Sequence, residues 1–252
     1  MALRIGFDLD GVLADMESEL VRQSEILFGE PMTRRLEERA AEAGDAPAVA
    51  EAPPAPPAGA PGSAPVFAPP VNRLNMTTRQ QRRLWQHVKS IDNFWEGLAE
   101  LEPGVIQRLA SLASDRRWEI IFLTKRPETV GATAQVQSQR WLESKGFALP
   151  SVYVVQGSRG RIAAALGLDI VVDDRPENCL DVVVDSKARA ILVWRADQHQ
   201  LPAAAQRLGI GVVTTVAQCL EILTQVDSAT RDEPGVMSRV MRLLGLKEPA
   251  AS

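Results

Sequence analysis

Two acids stand two positions apart near the start of the chain. Asp8 and Asp10, in Asp8-Leu9-Asp10-Gly11, directly follow the apolar side chains of Leu3, Ile5 and Phe7. A carboxylate at a strand end can attack an electrophile, and a second beside it can give and take the proton. Gly11 allows the tight turn that this spacing needs. Two other apolar runs end in the same manner. Residues 118–123 lead to Thr124-Lys125-Arg126-Pro127, and residues 170–172 lead to Asp173-Asp174-Arg175-Pro176. Parallel strands bring all three ends to one edge. Four carboxylates gathered there repel one another. A hard divalent cation relieves the repulsion, and Mg²⁺ takes a few carboxylates while keeping several waters. Each piece alone has a plainer meaning: a turn at Asp8–Gly11, a helix cap at Thr124, an acidic first helical turn after Asp174. Their order, each after an apolar strand, points to catalysis.

The elements that must position these residues follow from the rhythm of the chain. Short apolar runs at 118–124, 151–155, 168–174, 188–194 and 211–214 alternate with helix-length segments at 103–115, 128–145, 159–166, 176–185, 202–208 and 216–226. Nearly continuous apolar strands alternating with helices predict an α/β fold, a Rossmann-like parallel sheet covered on both faces. Such sheets bind ligands at the carboxyl ends of their strands. The core is expected from 1–15 and 96–226. Residues 16–95 read as a helical cap insertion after the first strand, with Thr77 or Thr78 capping the helix "TRQQRRLWQHVKS". Inside the insertion, residues 45–70 hold nine of the seventeen prolines. Proline removes backbone donors, and Ala and Gly offer little to bury, so an unpacked linker is expected. Residues 227–252 read as an amphipathic helix and tail that dock on the body, on a second copy as a homodimer, or on a partner.

The bulk properties narrow the setting. The chain has 252 residues, is 45% hydrophobic and carries a net charge of −4. That suffices for one sizeable core. It gives no global attraction to nucleic acid or to anionic membrane. Cys179 and Cys219 fit no metal spacing and read as reduced and buried. No signal peptide and no apolar run of about twenty residues is visible, so a cytoplasmic protein is expected.

"DLDGVLAD", "FLTKRP" and "VVDDRPENC" resemble motifs I, II and IV of the haloacid dehalogenase (HAD) superfamily. "NFWEGLAELEPGVIQRLASLA" and "TKRPETVGATAQVQSQRWLESKGF" look like the deoxyribonucleotidase-type branch. The resemblance covers 3–15 and about 94–226. It implies a phosphomonoester hydrolase with an aspartyl-phosphate intermediate. Asp8 would be the nucleophile. Asp10 would be the acid and base, its backbone carbonyl facing the metal. Thr124 would be a ligand of the phosphoryl group. Asp173 would bind Mg²⁺ directly, and Asp174 would hold metal-bound waters. One residue departs from the pattern. Motif III normally supplies a lysine, yet no lysine lies between Lys145 and Lys187. Arg159 stands at the matching place, with Arg161 nearby. Arginine keeps the charge and grips phosphate in bidentate fashion, but it is longer and planar.

Lys125, Arg126 and Gly11 are expected to meet the substrate. Phe94 and Trp95 either line a base-stacking pocket or pin the cap to the body. The basic helix with Arg79, Arg82 and Arg83 is a solvated face or attracts an anion. His87 and His199 read as surface residues, and Trp141 and Trp194 as core. The expected function is Mg²⁺-dependent hydrolysis of a small phosphomonoester, a nucleoside monophosphate before others. A sugar or other metabolite phosphate is the alternative. A weakly active binding or scaffold protein is the second. No stable nucleic-acid or membrane partner is expected.

Overall fold

A computed structural model describes residues 2–29, 76–196, 199 and 201–232. The linker 45–70, with the rest of the insertion from 30 to 75, and the tail beyond 232 lie outside the described residues. The described chain forms two compact units. One comprises Met1–Met16 with Asp92–Ser252, and the other Glu17–Ile91.

The first unit is built on six strands: β1 (Arg4–Asp8), β2 (Glu119–Thr124), β3 (Ser151–Val154), β4 (Ile170–Asp173), β5 (Arg189–Val193) and β6 (Gly211–Val213). All pair in parallel, in the order β3-β2-β1-β4-β5-β6. The strand order reverses at β1, which lies between β2 and β4. That reversal leaves a crevice at the carboxyl end of β1, where open α/β sheets bind ligands. The register aligns Asp8 with Leu123 and Phe7 with Val172. Thr124 and Asp173, one residue further along their strands, therefore end beside Asp8.

The strands are apolar on both sides because both sides are covered. Ile121, Leu123, Val171, Ala190 and Leu192 join one buried cluster with Ala163, Cys179, Val182 and Ala205. These come from α5 (Arg159–Leu166), α6 (Pro176–Asp185) and α7 (Ala203–Arg207). The alternating residues Ile5, Phe7, Ile120, Phe122, Val172 and Ile191 are equally buried. The remaining helices of this unit are α3 (Val105–Arg116), α4 (Ala134–Ser144) and α8 (Val216–Asp232), with a short 3-10 turn at Phe94–Gly97. Cys179 and Cys219 are buried and free, as expected.

Every strand expected from the sequence forms, to within a residue or two. The helix expected from 128 begins at Ala134 instead. Gly131 takes φ +98°, and the Thr133 hydroxyl accepts the Val136 amide, so helix starts only after that cap. The second unit pairs α1 (Met16–Phe28) with α2 (Thr78–Ser90). Thr77 caps α2 in a capping box with Gln80. His87 is not a free surface residue: its Nε2 lies 3.0 Å from Gln23 Oε1. Arg83 stands over the Phe28 ring at 5.8 Å. The segment 92–95, assigned to the insertion from the sequence, belongs to the sheet unit. Among the described residues no helix is long and apolar enough to cross a membrane.

Candidate active site

Asp8 closes β1 and is nearly buried. The chain then turns over Leu9–Ala14: the amides of Leu13 and Ala14 donate to Leu9 O at 2.9 and 2.8 Å, and Gly11 N donates to Ala14 O at 3.0 Å. Gly11 has φ +85°, and a Cβ there would collide with the Asp174 carboxylate. Only glycine allows this turn and this approach together.

Arg159 lies in the first turn of α5, under Ser158, whose hydroxyl accepts the Arg161 amide. Its neighbour Gly160 lets α5 approach α6, since a Cβ there would collide with the Asp181 carbonyl. The buried Arg159 guanidinium reaches two carboxylates. Nη2 donates to Asp8 Oδ1, and Nε lies 3.5 Å from Asp173 Oδ2. Arg161 points away, 85% exposed, with Asp185 at 4.0 Å. Of the two arginines weighed from the sequence, the structure brings only Arg159 to Asp8.

Asp173 ends β4 and Asp174 follows it, and their surroundings differ. Asp173 is fully buried and its oxygens are committed. Asn178 Nδ2 donates to both at 3.0 Å, and the Arg175 amide donates to Oδ1 at 2.9 Å. Asp174 Oδ1 is buried and has no hydrogen-bond partner among the described residues. Burial raises the Asp174 pKa to about 7, with the Asp173 charge adding to the rise. Burial also raises the Asp8 pKa well above the carboxylate range. Arg159 opposes that rise, while Asp173, Asp174 and Asp10 reinforce it. A cation is what this edge asks for. Among the described residues no three Asp, Glu, His or Cys side chains surround one point as they stand. Mg²⁺ needs fewer, because waters complete its shell. An all-oxygen donor set with one orphaned, buried carboxylate oxygen at Asp174, beside Asp173 and Asp8, fits such an ion.

Thr124 ends β2 and donates its hydroxyl to Asp10 Oδ2 at 3.2 Å. Lys125 is half-buried. Burial lowers the pKa of its ammonium, and the Arg159 and Arg175 charges lower it further.

Arg126, expected to meet the substrate, is bonded to Asp10. It is buried, with Nε 3.0 and 3.1 Å and Nη2 2.8 Å from the Asp10 carboxylate. Phe94 and Trp95 offer no stacking face. Both are buried, they meet edge to face at 4.9 Å, and Trp95 carries the Arg126 guanidinium on its ring at 5.0 Å. They are packing residues because the 3-10 turn that holds them docks on α4, where the Trp95 amide donates to Gln137 Oε1 at 3.1 Å.

Two supports had escaped the sequence reading. Asn178 stands five residues after Asp173, on the helix that follows its strand, and that spacing is a local signal. Arg195 gives none, being far from the site in sequence. Its Nη1 donates to Gly11 O at 2.5 Å and its Nη2 to Val12 O at 3.2 Å. Glu102 holds Arg195 at 2.7 Å and accepts the Val216 and Ala217 amides that open α8.

No protein-family model and no curated protein matches the sequence. Solved structures do resemble it in course of chain. A Thermotoga maritima protein assigned as a beta-phosphoglucomutase has 18% identity and a TM-score of 0.49, over 89% of this chain and 99% of that one. A HAD family hydrolase from Deinococcus radiodurans R1, solved with phosphate and sodium, has 15% identity and a TM-score of 0.48, over 90% and 96%. A hydrolase from Pseudomonas syringae has 17% identity and a TM-score of 0.46, over 88% and 98%.

Proposed function

We propose that the chain hydrolyses small phosphomonoesters by HAD-type phosphoryl transfer through Asp8. The observation that carries this reading is the position of Asp8. It ends the strand at which the sheet order reverses, bonded to a buried guanidinium, with a second carboxylate two residues on. An Asp8 oxygen attacks phosphorus, and the bond from phosphorus to the ester oxygen breaks. Asp10 gives that leaving oxygen its proton. Asp10 then takes a proton from water as the water oxygen attacks the phosphorus of the aspartyl-phosphate, releasing phosphate and freeing Asp8. Thr124 donates a hydrogen bond to a phosphoryl oxygen once substrate is bound. Arg159 opposes the burial that favours neutral Asp8, and so favours its nucleophilic, ionised form. Mg²⁺, held by Asp8, the Asp10 carbonyl and the acids Asp173 and Asp174, would neutralise charge on the transferring group. A scaffold role would leave four buried or half-buried acids and their matched arginines without a purpose.

Nucleoside monophosphates remain the proposed substrates by motif resemblance, although Phe94 and Trp95 no longer support a base-stacking site. Sugar phosphates are the second reading. A phosphate-release screen over both classes, with and without Mg²⁺, separates them. Mg²⁺-dependent release is expected; its absence on every substrate would remove the phosphatase reading.

A further inference from the structure

Arg126 is a charge placed where charges are costly. Burying a guanidinium is unfavourable unless carboxylates, hydrogen bonds or aromatic faces replace its water. Here all three do. Nε and Nη2 make the bidentate grip on Asp10. Nη1 donates to Ser138 Oγ at 3.0 Å, and Ser138 in turn donates to Ala134 O at 2.7 Å. The guanidinium carbon lies 5.0 Å from the Trp95 ring centroid and 5.4 Å from that of Trp141. Both rings are themselves tied down. Trp95 Nε1 donates to Pro127 O at 2.9 Å, and Trp141 Nε1 donates to Leu98 O at 2.7 Å. A rigid, planar fork is thus fixed in position and angle, and its open edge holds one carboxylate.

We propose that Arg126 is a positioning residue: the Trp95–Arg126–Trp141 clamp fixes the carboxylate of Asp10 beside Asp8. The inference rests on the reading of Asp10 as the acid and base of the proposed reaction. Proton transfer demands a donor within hydrogen-bond reach of the reacting oxygen, so a fixed carboxylate turns over faster than a roaming one. Asp10 belongs to a tight turn and has no helix or strand of its own to hold it. Its side chain meets Thr124 on one oxygen, and the guanidinium fork supplies the remaining restraint. Substrate never touches Arg126. The clamp therefore acts on kcat and leaves KM alone.

The test uses the full chain with Mg²⁺ and para-nitrophenyl phosphate. Arg126→Gln should lower kcat on the order of 10²-fold, the range of one acid–base contribution, with KM nearly unchanged. Arg126→Lys, which keeps charge but loses the fork, should recover only part. In the Asp10→Asn background, Arg126→Gln should cost nothing further, since its effect runs through Asp10. Multiplicative losses, or a rise in KM with kcat intact, would overturn the proposal. A melting curve for each variant separates unfolding from loss of positioning, and Arg126→Lys serves where Arg126→Gln does not fold. Crystal structures of wild type and Arg126→Lys decide the point independently of turnover. The Asp10 carboxylate should move or spread while Asp8 stays in place; an unmoved Asp10 contradicts the clamp. Wild type that releases no phosphate would instead sink the phosphatase reading and leave the crystallographic comparison to judge the clamp.

Discussion

At the scale of single residues, the site is a contest between burial and charge. Desolvation favours neutral Asp8, and Arg159 is the guanidinium that opposes it. Asp8→Asn removes the nucleophile but not the volume. It should abolish phosphate release while the melting temperature stays near that of wild type, as a release assay and a thermal scan will show. Arg159→Ala should reduce turnover by about 10²-fold or more, with partial recovery in Arg159→Lys, read from kcat in the same assay. Arg161→Ala, at an exposed side chain, should leave turnover unchanged. The pair Asp8 and Asp10, Thr124 and the double acid at 173 were legible because each follows an apolar strand. The fate of Arg126 was not. A basic residue after Thr124 reads as a phosphate ligand until Trp95 and Trp141, distant in sequence, are seen to enclose it. The hydrogen bonds that Asn178 gives Asp173 were hidden for a similar reason, since they depend on where Asn178 points.

At the scale of elements, the loop after β1 is held from outside by Arg195 and Glu102. Glu102 also caps α8. Burial pushes its pKa up, but the Val216 and Ala217 amides and Arg195 outweigh burial and hold the carboxyl below its usual value. The sign is that of a depressed acid. Its contribution is present above the unfolded value of about 4.3 and is lost as pH falls through the folded value. Wild type should therefore melt higher than Glu102→Gln at pH 6, and the gap should close as the pH drops below about 4. A gap that persists in acid would assign the difference to packing. The strands were legible from their apolar runs because a sheet covered on both faces needs apolar residues throughout. The start of α4 was not, because Gly131 and Thr133 set it through local backbone geometry.

At the scale of the whole molecule, the raised acids tie the proposed Mg²⁺ to stability. Asp174 is raised to about 7 and Asp8 is raised well above its ordinary value, both through burial. For a raised acid, stability is fully present below the unfolded value and falls as pH rises through the folded one. Apo protein should thus lose stability from Asp174 as pH rises from about 4 towards about 7, with Asp8 adding to the loss. A divalent cation favours the ionised forms, so Mg²⁺ should raise the melting temperature more at pH 8 than at pH 5. Equal shifts at both would disconnect the acids from the metal. The proline-rich stretch 45–70 belongs to this scale too. Closure entropy grows only logarithmically with length. A short Gly/Ser replacement should leave melting temperature and turnover nearly unchanged in parallel thermal and release assays.

The central claim is that Asp8 carries the phosphoryl group. Full-length protein with Mg²⁺ and a phosphomonoester that it turns over, quenched in acid during turnover and digested, should yield a phosphorylated peptide containing Asp8, and Asp8→Asn should yield none. A peptide that stays unmodified while phosphate is released, or a phosphoryl group found on another residue, would contradict the account.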